Sequence, residues 1–277
     1  MLYSLQIVKF AMESKTVTRV EASCSVLSAC WSHALTTEAE EVMGLLMGKV
    51  EGEVVRLSSL TPIRRITKQK DRVEIDNNSL VAASRRAEEL GLQVLGWYHS
   101  HPHITVHPSH VDLRTQLNYQ ALDKSFIGLI FSVFNADPVQ SQDTREVVAF
   151  QTRETDSGST CRYIALQAVA NMMGQGTEAV PGSVLSALAS IPTILMEEEL
   201  EEYSKAGGGD VLLHNTALVV AALEEQGRLV AGHSLQALRA SLELAKQRTG
   251  QLTERKQRVM EQLQGLGLSH IANPSLY

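Results

Sequence analysis

His99 and His101 stand two positions apart, and Asp112 follows eleven residues later, in the run Tyr98-His-Ser-His-Pro-His-Ile-Thr-Val-His-Pro-Ser-His-Val-Asp112. Two imidazoles and a carboxylate are zinc ligands. Three protein ligands leave the fourth tetrahedral position to water, which is the arrangement of catalytic rather than structural zinc sites. Calcium and magnesium favour all-oxygen shells, so the donor set points to Zn2+. Five of the nine histidines lie between His99 and His110. Of these, His103, His107 and His110 are expected to be ordinary loop or surface residues. An H-x-H pair alone would be weak evidence; the full His-Ser-His-Pro string ending in Pro-Ser-x-x-Asp is specific.

The elements needed to position these groups are legible around them. Apolar Val94, Leu95, Gly96 and Trp97 read as a buried strand, in which residues two apart share a face, so His99 and His101 converge. Pro102 has no backbone donor and ends the strand. Ser109 then precedes a helical pattern of Leu113, Leu117, Ala121 and Leu122, which places Asp112 in the first helical turn, able to aim its carboxylate back at the imidazoles.

These residues resemble the JAMM motif of the MPN-plus metallopeptidases, zinc enzymes that cleave ubiquitin or ubiquitin-like proteins from lysine side chains. The family pattern includes an upstream glutamate, and Glu41-Val42-Met43-Gly44-Leu45 resembles that segment. Alone, Glu41 would read as a solvated acid at a strand entrance; the resemblance makes it the general base, which takes a proton from the attacking water and hands it to the leaving lysine amine. Ser109 resembles the family serine that donates a hydrogen bond to the tetrahedral oxyanion, and it suits an N-cap equally well.

The resemblance narrows to the deubiquitinase subunits of the BRISC and BRCA-associated complexes. It is carried by Ser32-His33-Ala34-Leu35-Thr36-Thr37-Glu38, Lys70-Asp71-Arg72-Val73-Glu74-Ile75 and the segment 94–106. It implies preference for lysine-63-linked polyubiquitin, an MPN-minus partner subunit engaged through the MPN domain and C-terminal helices, and further complex subunits. The match is good over about residues 20–150 and thins beyond Gln151. His107 stands where the subfamily usually has tryptophan, and residues 153–163 look shorter than the subfamily's insertion. Two alternatives remain: a non-catalytic MPN scaffold, and a metallopeptidase acting on another ubiquitin-like isopeptide.

A chain of 277 residues, 44% of them hydrophobic, can bury a substantial core. Its net charge of −6 offers no basic footprint for nucleic acid. No 18-residue apolar run suggests a membrane span, and the short apolar stretch before Lys9 does not read as a signal peptide. Three cysteines without a C-x-x-C spacing argue for a reducing compartment, so cytoplasm and nucleus are expected.

Residues 21–33 read as a helix, 42–50 and 54–60 as a hairpin joined at Glu51-Gly52-Glu53, and 77–90 as a helix stopped by Gly91. Residues 126–134 and 146–151 read as further strands, with a polar loop between them. The expected architecture is α/β, an MPN sandwich of a mixed sheet with flanking helices over residues 1–170. Residues 171–277 are expected to be a helical region for subunit assembly, with a helix over 184–203, glycines at 207–209, and joints at Pro181 and Pro192. Leu235, Leu238, Leu242, Ala245, Thr249, Leu252, Lys256, Val259, Leu263 and Leu266 alternate three- and four-residue steps as a coiled-coil seam does. A helix folded back on its own domain is the competing reading.

Overall fold

Val42 to Met47 carries no polar side chain, as a strand covered on both faces requires, and all six residues are buried. The computed structural model describes residues 16–65, 77–136, 143–156, 158–169 and 182–205, and, with interruptions, 220–265. The elements run β1 (Arg19–Ser23), α1 (Cys24–Ala34), β2 (Met43–Glu51), β3 (Val54–Ile63), α2 (Asn77–Glu89), β4 (Gln93–Pro102), α3 (His110–Leu122), β5 (Ile127–Ala136), β6 (Asp143–Thr155), β7 (Gly158–Val169) and α4 (Ser183–Lys205).

The strands order β1-β3-β2-β4-β5-β6-β7, and β1 pairs in parallel with both β3 and β7. The sheet is therefore a closed barrel, which corrects the expected sandwich; the mixed strands and flanking helices stand. The closing strand was hidden. Glu21–Ser23, expected to open the first helix, instead ends β1, because Val20 and Ala22 pair across to Leu166 and Ala168. β7 is a strand with a weak sequence signal: Ile164 is its one buried residue, and the inward positions on either side, Arg162 and Leu166, are only partly covered.

Alternating side chains on the central strands feed two cores. Leu46, Leu57, Leu95, Leu129 and Phe131 pack with α1 and with Val184, Leu188, Ile191 and Leu195 of α4. Met43, Leu45, Trp97, Ile130 and Phe150 pack with Ala83 and Ala87 of α2 and Leu113 of α3. Gly44 has no room for a side chain, since a Cβ there would collide with the ring of Tyr98. Gly91, at φ 66°, ends α2 in the left-handed conformation expected of it. Pro192 lies inside α4 rather than at a joint, and the helix continues through it.

By contacts the chain divides into two units, residues 1–231 and 232–277. In the second, residues 249–265 are helical, with Leu252 and Val259 exposed. The seam positions Leu235, Leu238, Ala245 and Leu266, the glycines at 207–209 and the loop 137–142 lie outside the described residues. No described helix is long and apolar enough to cross a membrane.

Candidate metal centre

Along β4 the period of two turns Trp97, His99 and His101 to the face that α3 covers, while Tyr98 joins the opposite core. The strand ends at Pro102 and α3 starts at His110 with Ser109 as N-cap. Ser109 Oγ accepts from the Asp112 amide at 3.2 Å, and Asp112 Oδ2 accepts from the Ser109 amide at 2.7 Å, forming a capping box. That box fixes the carboxylate at the helix start, facing the strand. Gln116, one turn on, is fully buried and accepts from Trp97 Nε1 at 2.8 Å while donating to the Phe126 carbonyl at 2.8 Å. It holds α3 in register on β4.

His99, His101 and Asp112 therefore meet, with all three buried. The Nε2 atoms of the two histidines are 3.1 Å apart; His99 Nε2 is 3.4 Å from Asp112 Oδ1, and His101 Nε2 is 3.6 Å from Asp112 Oδ2. Ligand atoms about 2.0–2.2 Å from a tetrahedral zinc lie about 3.3–3.6 Å from one another, and the separations here, with one carboxylate oxygen facing each imidazole, are close to that spacing. The lone pairs also point correctly. His101 Nδ1 lies 2.6 Å from the Thr105 carbonyl, which can only accept, so neutral His101 carries its proton there and turns a bare Nε2 inward. His99 is oriented by stacking on Trp97, centroids 4.5 Å apart, and its Nδ1 is buried without a hydrogen-bond partner. The three groups fit a divalent cation.

The charges favour the same use. Burial alone would raise the Asp112 pKa, but the adjacent His99, and then His101 and Ser109, hold the carboxyl far below the ordinary carboxylate range. Burial alone would lower the His101 pKa; Asp112, the Thr105 carbonyl and Glu41 outweigh it and raise the pKa instead. Glu41, buried on the irregular stretch between α1 and β2, places Oε1 3.9 Å from His101 Nε2. The five residues singled out in the sequence thus lie in one region, with Ser109 exposed at its edge.

The other local histidines point elsewhere. His103 Nε2 lies 3.6 Å from Glu38, and His107 Nδ1 lies 2.6 Å from the Tyr163 hydroxyl, linking the loop after β4 to β7. Several further groups position the site without a chemical signature in the sequence. Gln116 lies one helical turn after Asp112, a spacing that could have marked it. Ser100, between the two histidines, accepts from the Val42 amide at 2.9 Å and so holds the residue after Glu41. His33 lies 2.9 Å from the Tyr98 hydroxyl, its pKa lowered to about 3 by burial and by the charge of Arg65.

Comparison with known proteins agrees with this geometry. Residues 15–125 match the family described as JAB1/Mov34/MPN/PAD-1 ubiquitin protease. The chain is 37% identical over 250 residues to Lys-63-specific deubiquitinase BRCC36 of Xenopus tropicalis, covering 86% of this chain and 94% of that protein. It is 36% identical over 264 residues to the protein of the same name from Camponotus floridanus, covering 92% and 100%. The Rattus norvegicus protein of that name is 33% identical over 288 residues, covering 91% and 98%.

Proposed function

This chain belongs to the JAB1/Mov34/MPN/PAD-1 ubiquitin protease family, and on that footing we propose that it is a deubiquitinase hydrolysing the isopeptide bonds of lysine-63-linked ubiquitin chains. The observation that carries the reading is the cluster of His99, His101 and Asp112 donor atoms, all within 4.8 Å of one another, with the Glu41 carboxylate beside it.

His99, His101 and Asp112 would hold Zn2+, which supplies a Lewis acid for the scissile carbonyl and lowers the pKa of an attacking water towards about 7. Glu41 takes the proton from that water as it attacks and returns it to the lysine amine as the C–N bond breaks. Its burial and its distance from His101 suit both transfers. Ser109 donates to the developing oxyanion: its Oγ accepts from the Asp112 amide, which leaves the hydroxyl proton available. His99, buried and stacked on Trp97, cannot swing out of the site without losing that packing.

Residues 1–170 carry this chemistry, and residues 171–277 serve assembly. The partners are an MPN-minus subunit, met through the MPN domain and a coiled-coil seam in the C-terminal helices, and further complex subunits. The working compartments are cytoplasm and nucleus.

The test is Glu41→Gln beside the wild-type protein, both assayed against a panel of linkage-defined ubiquitin chains, with linkage preference read on the wild type. The variant is expected to keep its zinc and to lose at least about a hundredfold in cleavage, the scale of a general-base contribution. Undiminished cleavage by a folded, zinc-loaded variant refutes Glu41 as the base, and indifference to linkage refutes the lysine-63 preference.

A further inference from the structure

Glu41 sits on an irregular stretch, 37–42, outside any helix or strand. A general base misplaced by about 1 Å loses on the order of a hundredfold in rate, so something must hold that stretch. On its C-terminal side the holder is Ser100: its amide donates to the Val42 carbonyl at 2.9 Å and its hydroxyl accepts from the Val42 amide at 2.9 Å. On its N-terminal side the neighbouring Glu40 accepts from Arg65 Nη1 at 2.6 Å. Arg65, beyond the end of β3, is itself held from a different element. Glu198 of α4 accepts from its backbone amide at 2.6 Å, from Nε at 2.9 Å and from Nη2 at 2.5 Å.

The side chains of Arg65 and Glu198 are 7% and 2% exposed, against 23% for Glu40. A buried ion pair is a poor source of net stability, because desolvation offsets the attraction; what a guanidinium fork supplies is fixed geometry. Here one fork spans two carboxylates and joins the loop of the base to a helix outside the site. Arg64 adds pairs to Glu201 at 2.5 Å and Glu197 at 3.8 Å, so the paired arginines seat the acidic end of α4 as a whole.

We propose that Arg65, seated on Glu198, is a positioning residue that fixes the Glu40–Glu41 stretch for catalysis, an inference that rests on reading Glu41 as the base. α4 is then part of the catalytic apparatus although it places no group in the metal centre.

The experiment uses the full chain, zinc-loaded and with whatever subunits co-purify. Glu40→Ala removes one arm of the fork from a partly exposed position and leaves Arg65 paired with Glu198, so the fold stands. The expected result is a fall in kcat of about tenfold with KM within about twofold, unchanged zinc per chain, and faster amide exchange over residues 39–42. Glu40→Gln, which keeps an acceptor for Arg65, recovers most of the rate. In a Glu41→Gln background, Glu40→Ala costs nothing further, because the base whose position it sets is already gone. Wild-type kcat and exchange in Glu40→Ala overturn the inference, as does the same tenfold loss in the Glu41→Gln background. If Glu41→Gln alone retains full activity, the reading of Glu41 fails first, a result distinct from a silent Glu40→Ala beside an inactive Glu41→Gln.

Discussion

At the level of single side chains, the candidate metal centre depends on two imidazoles with different supports. His101 is turned by the Thr105 carbonyl and His99 by the plane of Trp97. Asp112 faces both, and the neighbouring imidazoles and Ser109 hold its pKa down, which favours the ionised carboxylate. Asp112→Asn keeps the shape of the third ligand and loses its charge, while His99→Ala removes a donor outright. Elemental analysis is expected to show loss of zinc in both variants; full zinc content in both would remove these residues from the ligand set. A different histidine governs stability. His33 has a folded pKa of about 3 against an ordinary value of 6.5. Between those values the unfolded chain binds a proton that the native chain refuses, so stability falls as pH drops through that window and is fully present above it. Each unit of the difference is worth about 1.4 kcal/mol, an upper bound of several kcal/mol in all. His33→Gln is therefore expected to flatten the dependence of Tm on pH between about 6.5 and 4. An unchanged slope would contradict the assignment.

At the level of elements, α3 serves the site at its first turn, where the N-cap and the catalytic donor proposed at Ser109 are the same residue. The two roles separate by substitution. Ser109→Ala loses the cap, worth about 1 kcal/mol, and the hydroxyl together. Ser109→Asp restores an acceptor for the Asp112 amide and suits the positive end of the helix, but has no proton to give at neutral pH. Tm is expected to recover in the aspartate variant while kcat stays low; recovery of both would reduce Ser109 to a cap. The elements that carry the site were legible because their signals are local. Strand β4, Pro102, Ser109 and the apolar spacing of α3 lie within thirty residues, and period two alone places His99 with His101. β1 and β7 were not legible for the opposite reason. β1 has five residues followed directly by a helix, and its partners β3 and β7 are both distant in sequence; β7 folds back on β6 as a hairpin but is largely exposed, so it carries little apolar signal of its own. The grip of Arg65 on Glu40 and Glu198 was hidden likewise, since sequence shows three charges without saying that they meet.

At the level of the molecule, β1 pairs with both β3 and β7 and so closes the barrel, which leaves each described strand a neighbour on either side over part of its length. The proposed seam lies in the helices instead. Helix 249–265 presents the described seam positions Leu252 at 52% exposure and Val259 at 46%, seven residues apart on one face, with Leu242 at 55% ten residues before Leu252 in the same three- and four-residue rhythm. Apolar side chains repeated in this way lose contact with water only when another helix covers them, at about 25 cal/mol per Å². Leu252→Glu combined with Val259→Glu puts two charges into the proposed seam while changing none of the candidate metal ligands. The double variant is expected to elute as a smaller species on size-exclusion chromatography, to retain its zinc, and to keep the far-ultraviolet signature of the barrel. Unaltered assembly in that variant would assign the association to surfaces outside the seam, leaving this helix to a role within its own chain.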